Sequence, residues 1–166
     1  MISNAEYKEV STVRTASADG EAMDRMLKQA GFSVTFRKDQ SLEQMNAAIK
    51  TFVKEVGEEP CDSLFYFSGH GLEEDGCEYL LPIEIDSLVD EVSNANAVAV
   101  TSRSDSCLIA QLKEHEKGDR LNIIMLDCCR DDEANPVFRN ASSNGEDFEH
   151  EGCMRNASTD VSVPPQ

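Results

Sequence analysis

The sequence has no tryptophan, little positive charge and no long apolar segment. Its 15 Lys and Arg residues stand against 32 Asp and Glu residues, which gives a formal net charge of -17. Binding to nucleic acid or to an anionic membrane needs a basic surface, so this balance argues against both partners. No apolar run approaches the roughly 20 residues of a membrane-spanning helix, and the N-terminal residues lack a secretory signal pattern. We therefore expect a soluble, cytoplasmic protein.

Paired metal-ligand spacing is also missing. Six cysteines are present, but no two of them have the CxxC spacing of common zinc and redox sites. The three histidines show no such pairing either, so we predict no metal site and no cofactor. Without a signal peptide, the thiols are expected to be reduced. The acidic residues Glu84, Asp86, Asp90 and Glu91 are typical of a solvated loop, and the sequence leaves calcium dependence open.

Hydrophobic periodicity predicts one α/β domain. Helices are predicted at 19–30, 41–57 and 105–117, and strands at 33–37, 63–67, 79–81 and 121–126. This order implies a mostly parallel sheet with helices on its faces. The second helix should begin at Ser41, because Ser41 and Gln44 have the spacing of a capping box. Residues 140–166 are acidic and rich in Ser and Asn, so we predict a disordered tail after a folded domain at 1–139.

Two of the predicted strands end in residues that can carry chemistry. The strand at 63–67 runs into Ser68-Gly69-His70-Gly71, and the strand at 121–126 runs into Asp127-Cys128-Cys129-Arg130. Parallel strands end at the same edge of a sheet, where the active sites of α/β proteins collect. A His and a Cys brought together there form the minimum pair for thiol catalysis. Taken singly, each is more often structural, as a hydrogen-bonded surface histidine or a small buried cysteine.

The segments FYFSGHG and MLDCCRDD resemble the two core motifs of the caspase-like cysteine peptidases, particularly of the metacaspase and paracaspase branches. The resemblance extends upstream. ISNAEY is similar to the segment that follows the family's first strand, and VRTASADGEAM is similar to the loop and helix after it. Residues 2–139 are covered. The resemblance implies a caspase-like fold, but this chain is expected to lack the first central strand and the small-subunit-like part.

The resemblance also implies roles for individual residues. His70 is implied to be the general acid and base and Cys129 the nucleophile, while Cys128 occupies a variable place beside it. The backbone N–H groups of Gly71 and Cys129 would form the oxyanion hole. The S1 pocket of metacaspases and paracaspases, which is acidic, is matched by Asp19, Ser68 and Asp127. Carboxylates in such a pocket favour a guanidinium or an ammonium group, and bidentate pairing favours Arg over Lys.

The primary hypothesis is therefore a cysteine-type endopeptidase, a thiol protease that hydrolyses peptide bonds after Arg or Lys through a thioester intermediate. Its partner would be a protein or peptide substrate with a basic P1 residue, and nothing in the sequence predicts an oligomeric state. The alternative is a catalytically inactive caspase-like interaction module or a truncated gene product, because parts of the fold are expected to be absent. A nucleotide-binding domain ranks lower, since no glycine-rich phosphate loop follows a strand.

Overall fold

A computed structural model describes residues 1–58, 61–74, 76–86, 92–102, 105–115 and 120–128. This part of the chain contains seven strands and three helices. In chain order they are β1 (Ile2–Ser3), α1 (Arg14–Gln29), β2 (Arg37–Lys38), α2 (Leu42–Glu58), β3 (Ser63–Ser68), β4 (Gly71–Glu74), β5 (Cys77–Leu80), β6 (Val98–Thr101), α3 (Leu108–Glu114) and β7 (Asn122–Asp127). Cys129 and the predicted tail at 140–166 lie outside the described residues.

Four strands form a parallel sheet in the order β2-β1-β3-β7. Successive side chains alternate across it, so Phe65 and Phe67 of β3 face one side and Tyr66 and Ser68 face the other. The first side is covered by α2 and α3, whose apolar residues form the main core with the two phenylalanines. The other side is approached by α1, which contacts β1 and β3. The predicted α/β fold, with a mostly parallel sheet and helices on both faces, is confirmed.

The expectation that the first central strand is absent needs correction. A shortened strand is present, because Ile2 and Ser3 pair in parallel with β2 on one side and with β3 on the other. Both residues are buried, and the Ser3 hydroxyl donates to the carbonyl oxygen of Ala16 at 2.5 Å. Two residues are too few to show the alternation of a strand in the sequence. The expected absence of the small-subunit-like part stays a prediction.

The helices lie close to their predicted places, with one difference. At α2, the N–H of Gln44 donates to Ser41 Oγ at 3.2 Å and the N–H of Ser41 donates to Gln44 Oε1 at 2.9 Å, which confirms the capping box. In contrast, α1 begins at Arg14, well before the predicted start at Asp19. Its first turn has no large apolar residue, so periodicity does not signal it. None of the described helices is long and apolar enough to cross a membrane.

A second, antiparallel sheet has the order β4-β5-β6. The sequence predicts only one strand in this region, at 79–81, where the structure has β5. Four residues each, β4 and β6 are too short to give a clear signal, and β4 ends in two glutamates. In the first sheet, β2 is likewise limited to Arg37–Lys38 instead of 33–37. The second sheet bears on the candidate site because β4 begins directly after His70.

The side chain of Asn4 connects the parallel sheet to the antiparallel sheet in the interior of the protein. It follows β1 and its side chain is completely buried. Its Nδ2 donates to the carbonyl oxygens of Leu81 at 3.1 Å and Gln40 at 3.4 Å, and its Oδ1 accepts the N–H of Gln40 at 2.8 Å. These bonds connect β1 to the segment before α2 and to the residue after β5. A buried amide with its partners in place stabilises the fold, whereas removing it takes a hydrogen bond from each of these partners.

Asn4→Ala should therefore lower the free energy of unfolding by about 3 kcal/mol, because Gln40 and the buried Leu81 each lose hydrogen bonds and the Asn4 site is left empty. Urea unfolding of the full chain, followed by circular dichroism, measures this loss. The matched control is Asn46→Ala at an exposed position of α2, for which we expect a change of less than about 0.5 kcal/mol. Equal stability of the two variants would contradict the importance of the Asn4 contacts.

Candidate active site

Parallel pairing brings the ends of β3 and β7 to the same edge of the sheet. The two strands pair in register along their whole length, and the last pair is Ser68 opposite Asp127. His70 lies two residues after this pair on one strand, and in the sequence Cys129 lies two residues after it on the other. The described part of this second segment ends at Cys128. The structure therefore places His70, Ser68 and Asp127, while the predicted nucleophile lies outside the described residues.

His70 is half-buried in the turn between β3 and β4. Its ring Nε2 lies 2.8 Å from the backbone carbonyl oxygen of Ser11. A carbonyl oxygen can only accept a hydrogen bond, so Nε2 carries a hydrogen and Nδ1 is the nitrogen that can take up a proton from another group. An imidazole held in one tautomer in this way is suited to act as a general base and then as a general acid.

Tyr7 packs against His70, and sequence reasoning assigned it no role. Its hydroxyl oxygen accepts the backbone N–H of His70 at 2.8 Å, and the two rings have centroids 4.6 Å apart at an interplanar angle of 56°. Burial raises the pKa of the Tyr7 phenol above its ordinary value, so the hydroxyl stays protonated at neutral pH. The only sequence signal was the place of this tyrosine in the ISNAEY segment.

Gly69 allows this close approach. Its backbone φ is +153°, and a Cβ there would lie 2.7 Å from the Tyr7 hydroxyl oxygen and 3.0 Å from the Asn4 carbonyl oxygen. Distances this short leave no room for a side chain, and L residues rarely adopt such a φ. The position therefore requires glycine for two separate reasons.

Gly71 is the one described donor of the predicted oxyanion hole. It is buried, begins β4 directly after His70, and pairs with Leu80 of β5. The other predicted donor, the N–H of Cys129, lies outside the described residues. The oxyanion hole stays a prediction.

Two of the three residues predicted to form the S1 pocket, Ser68 and Asp127, meet at the ends of β3 and β7, and the third, Asp19, lies on α1. Asp127 Oδ2 accepts the hydroxyl of Tyr66 at 3.0 Å and lies 3.5 Å from Ser68 Oγ. Burial, followed by the charge of Asp127, raises the pKa of Tyr66 above its ordinary value, and the charge of Asp19 on α1 acts in the same direction. The Asp127 carboxylate thus bonds a protonated phenol, on which Asp19 acts through its charge.

Tyr66 is a member of this group that the sequence analysis did not include. The available signal was the period-two alternation of a strand, which puts Tyr66 on the same face of β3 as Ser68. Tyr66 is buried, whereas Asp19 and Asp127 are exposed. A buried hydroxyl thus bonds the accessible Asp127 carboxylate, and the S1 pocket that Asp19 and Asp127 would share stays a prediction.

Metal binding has no visible support in the part of the chain that the structure describes. No group of three or more His, Cys, Asp or Glu side chains there is arranged to hold a metal ion. Glu84 has a different partner, because its Oε1 accepts the N–H of Leu42 at 2.7 Å, at the first turn of α2. Asp90 and Glu91 lie outside the described residues. The described cysteines, none of which forms a disulfide, are Cys61, Cys77, Cys107 and Cys128.

Comparison with known proteins gives the family. The caspase domain family, peptidase C14, matches residues 1–164, and the chain belongs to this family. A curated relative is the human mucosa-associated lymphoid tissue lymphoma translocation protein 1, which is 26% identical over 135 residues. The alignment covers 78% of this chain but only 14% of the human protein. The resemblance carried by the FYFSGHG and MLDCCRDD motifs is thus confirmed at the level of the family.

Gly69→Ala should destabilise the protein far more than Gly31→Ala. Both glycines have a positive φ, +153° and +93°, but nothing lies within 4 Å of a Cβ placed at Gly31. We expect Gly31→Ala to cost about 1 kcal/mol of backbone strain. Gly69→Ala should cost about 3 kcal/mol or more, because the clash with Tyr7 is added. Urea unfolding compares the two variants, and equal losses would argue against the tight packing at Gly69.

Proposed function

We propose that the protein is a cysteine-type endopeptidase of the metacaspase and paracaspase kind, which cleaves peptide bonds after Arg or Lys. The observation that carries the proposal is the register of β3 and β7, in which Ser68 lies opposite Asp127. His70 follows one of these strands, and Cys128 and Cys129 follow the other in the sequence. Membership of the caspase domain family supports the same chemistry.

In the proposed reaction, His70 takes the thiol proton of Cys129, and the thiolate attacks the carbonyl carbon of the scissile bond. The backbone N–H groups of Gly71 and Cys129 hold the resulting oxyanion. His70 then gives its proton to the leaving amine, and the acyl group remains on sulfur as a thioester. Water that loses a proton to His70 hydrolyses the thioester and frees the thiol. The contact of Nε2 with the Ser11 carbonyl supports this cycle, because it stabilises the imidazolium form.

Substrate choice in this proposal rests on Asp19, Ser68 and Asp127. The hydroxyls of Tyr66 and Ser68 both donate to Oδ2 of Asp127, which leaves the other carboxylate oxygen, Oδ1, available to a guanidinium. Arg is favoured over Lys because its planar group can bond two carboxylate oxygens at once. The net charge of -17 adds a long-range attraction for basic peptides.

A caspase-like interaction module without catalysis is the second candidate. The observation that favours it is β7, which among the described residues pairs with β3 alone. Leu121, just before this strand, and Met125, within it, are 56% and 40% exposed. A strand edge of this kind is open to pairing with another chain. Labelling with an Arg-based active-site electrophile separates the candidates, because selective modification of Cys129 supports the peptidase and uniform modification of all six thiols supports the module.

Cys129→Ala should lower kcat/KM for a fluorogenic peptide with Arg at P1 by about 1,000-fold or more, because the nucleophile is removed. The matched control is Cys128→Ala, which should keep the activity of the unchanged protein, since Cys128 takes no part in the proposed reaction. Initial rates at equal concentrations of folded protein measure both variants. Undiminished turnover by Cys129→Ala would rule out the proposed nucleophile.

Asp127→Asn should reduce the preference for Arg over citrulline at P1 by about 10- to 100-fold, the worth of a hydrogen bond to a charged group. The substitution keeps an oxygen that can accept the Tyr66 hydroxyl, and citrulline has the shape of Arg without its charge. The ratio of kcat/KM for the two peptides measures the effect. Asp105→Asn, at an exposed position before α3, is the control and should leave the ratio unchanged. An unchanged ratio in Asp127→Asn would exclude the acidic pocket.

A further inference from the structure

His70 is contacted by residues of the segment between β1 and α1, which is far from it in the sequence. Tyr7 and Ser11 belong to this segment and lie 63 and 59 positions away from His70 in the chain. Tyr7 contacts both the backbone and the ring of His70, whereas Ser11 bonds the ring through its carbonyl oxygen. The position of the imidazole is therefore controlled by residues outside the motif that contains it.

The hydroxyl of Tyr7 connects the two sides of the turn that carries His70. It accepts the N–H of His70 at 2.8 Å and donates to the carbonyl oxygen of Leu81 at 3.2 Å. The N–H of Leu81 in turn donates to the carbonyl oxygen of His70 at 3.0 Å. Tyr7 is only 6% exposed, so water cannot readily replace these bonds. The hydroxyl thus holds the backbone of His70 against the end of β5.

The ring of Tyr7 restricts the His70 side chain. The ring centroids are 4.6 Å apart, which is contact distance for two aromatic groups. At the same time, Nε2 is bonded to the Ser11 carbonyl oxygen at 2.8 Å. An imidazole with one neighbour against its ring and one nitrogen bonded has little freedom to rotate about its side-chain bonds, so both contacts restrict the direction of Nδ1.

We propose that Tyr7 is the positioning residue for His70. Its hydroxyl sets the place of the His70 backbone, and its ring sets the orientation of the imidazole. Where it concerns turnover, this inference rests on the proposed function. The coupling between the two residues does not depend on that function and can be tested without activity.

The first test uses nuclear magnetic resonance of the full chain with Cys129 replaced by Ala, so that catalysis plays no part. Adding Tyr7→Phe should move the backbone amide and the ring nitrogen signals of His70, while those of His115 and His150 stay in place. The control is Tyr79→Phe, because Tyr79 on β5 packs against the same apolar cluster as Tyr7. It should leave the His70 signals unchanged. Unchanged His70 signals in Tyr7→Phe would overturn the proposal.

The second test measures turnover of the Arg-P1 peptide by the otherwise unchanged chain, corrected for the fraction of active protein. Tyr7→Phe should lower kcat about 10-fold with KM unchanged, and Tyr7→Leu about 100-fold, because a general base that is displaced loses efficiency steeply. If Tyr7 matters for folding alone, its substitution lowers the fraction of active protein and leaves the corrected kcat unchanged. That result would overturn the proposal that Tyr7 positions His70. If the unchanged chain has no turnover, the proposed function fails, and the resonance test still decides the role of Tyr7.

Discussion

The carbonyl oxygen of Leu81 is the point on which the arrangement of the two sheets depends. It accepts one hydrogen bond from Nδ2 of Asn4 at 3.1 Å and another from the hydroxyl of Tyr7 at 3.2 Å. Leu81 follows β5 in the antiparallel sheet, whereas both donors follow β1 in the parallel sheet. All three groups are buried, where a polar atom without a partner is most costly. The two sheets can therefore move against each other only by breaking hydrogen bonds that water cannot replace.

This junction also determines where His70 lies. The turn that carries His70 has one end in β3, in the parallel sheet, and the other in β4, in the antiparallel sheet. A shift between the sheets would displace it. Tyr7 fills the space that a side chain at Gly69 would need. The turn is therefore held by its contact with Tyr7 as well as by the two strands at its ends. Proton transfer requires a donor and an acceptor within hydrogen-bond reach, and a histidine with a fixed ring orientation fulfils one condition for it.

The sequence predicted well those strands whose own residues form a recognisable apolar pattern. β3 and β7 are six residues long and nearly continuous in apolar residues, as expected for strands of a parallel sheet. β1 and β2 are two residues each and exist because neighbouring strands supply their hydrogen bonds, which no local pattern reveals. The same distinction holds in the site. His70 was predicted from a strand end and Asp127 from the family resemblance, whereas Tyr7 and Tyr66 have partners 63 and 61 positions away in the sequence.

The side chains of β3 alternate between the core and Asp127, so the packing of the core and the hydrogen bonds of Asp127 depend on the same strand. Phe65 and Phe67 pack into the core with α2 and α3, while Tyr66 and Ser68 face α1 and reach Asp127. A slip of one residue along β7 would exchange the two sets, so that phenyl rings would leave the core and hydroxyls would enter it. Moving each phenylalanine out costs about 2 kcal/mol, and each hydroxyl left without a partner adds a further penalty. The packing of Phe65 and Phe67 is thus the force that keeps Ser68 opposite Asp127.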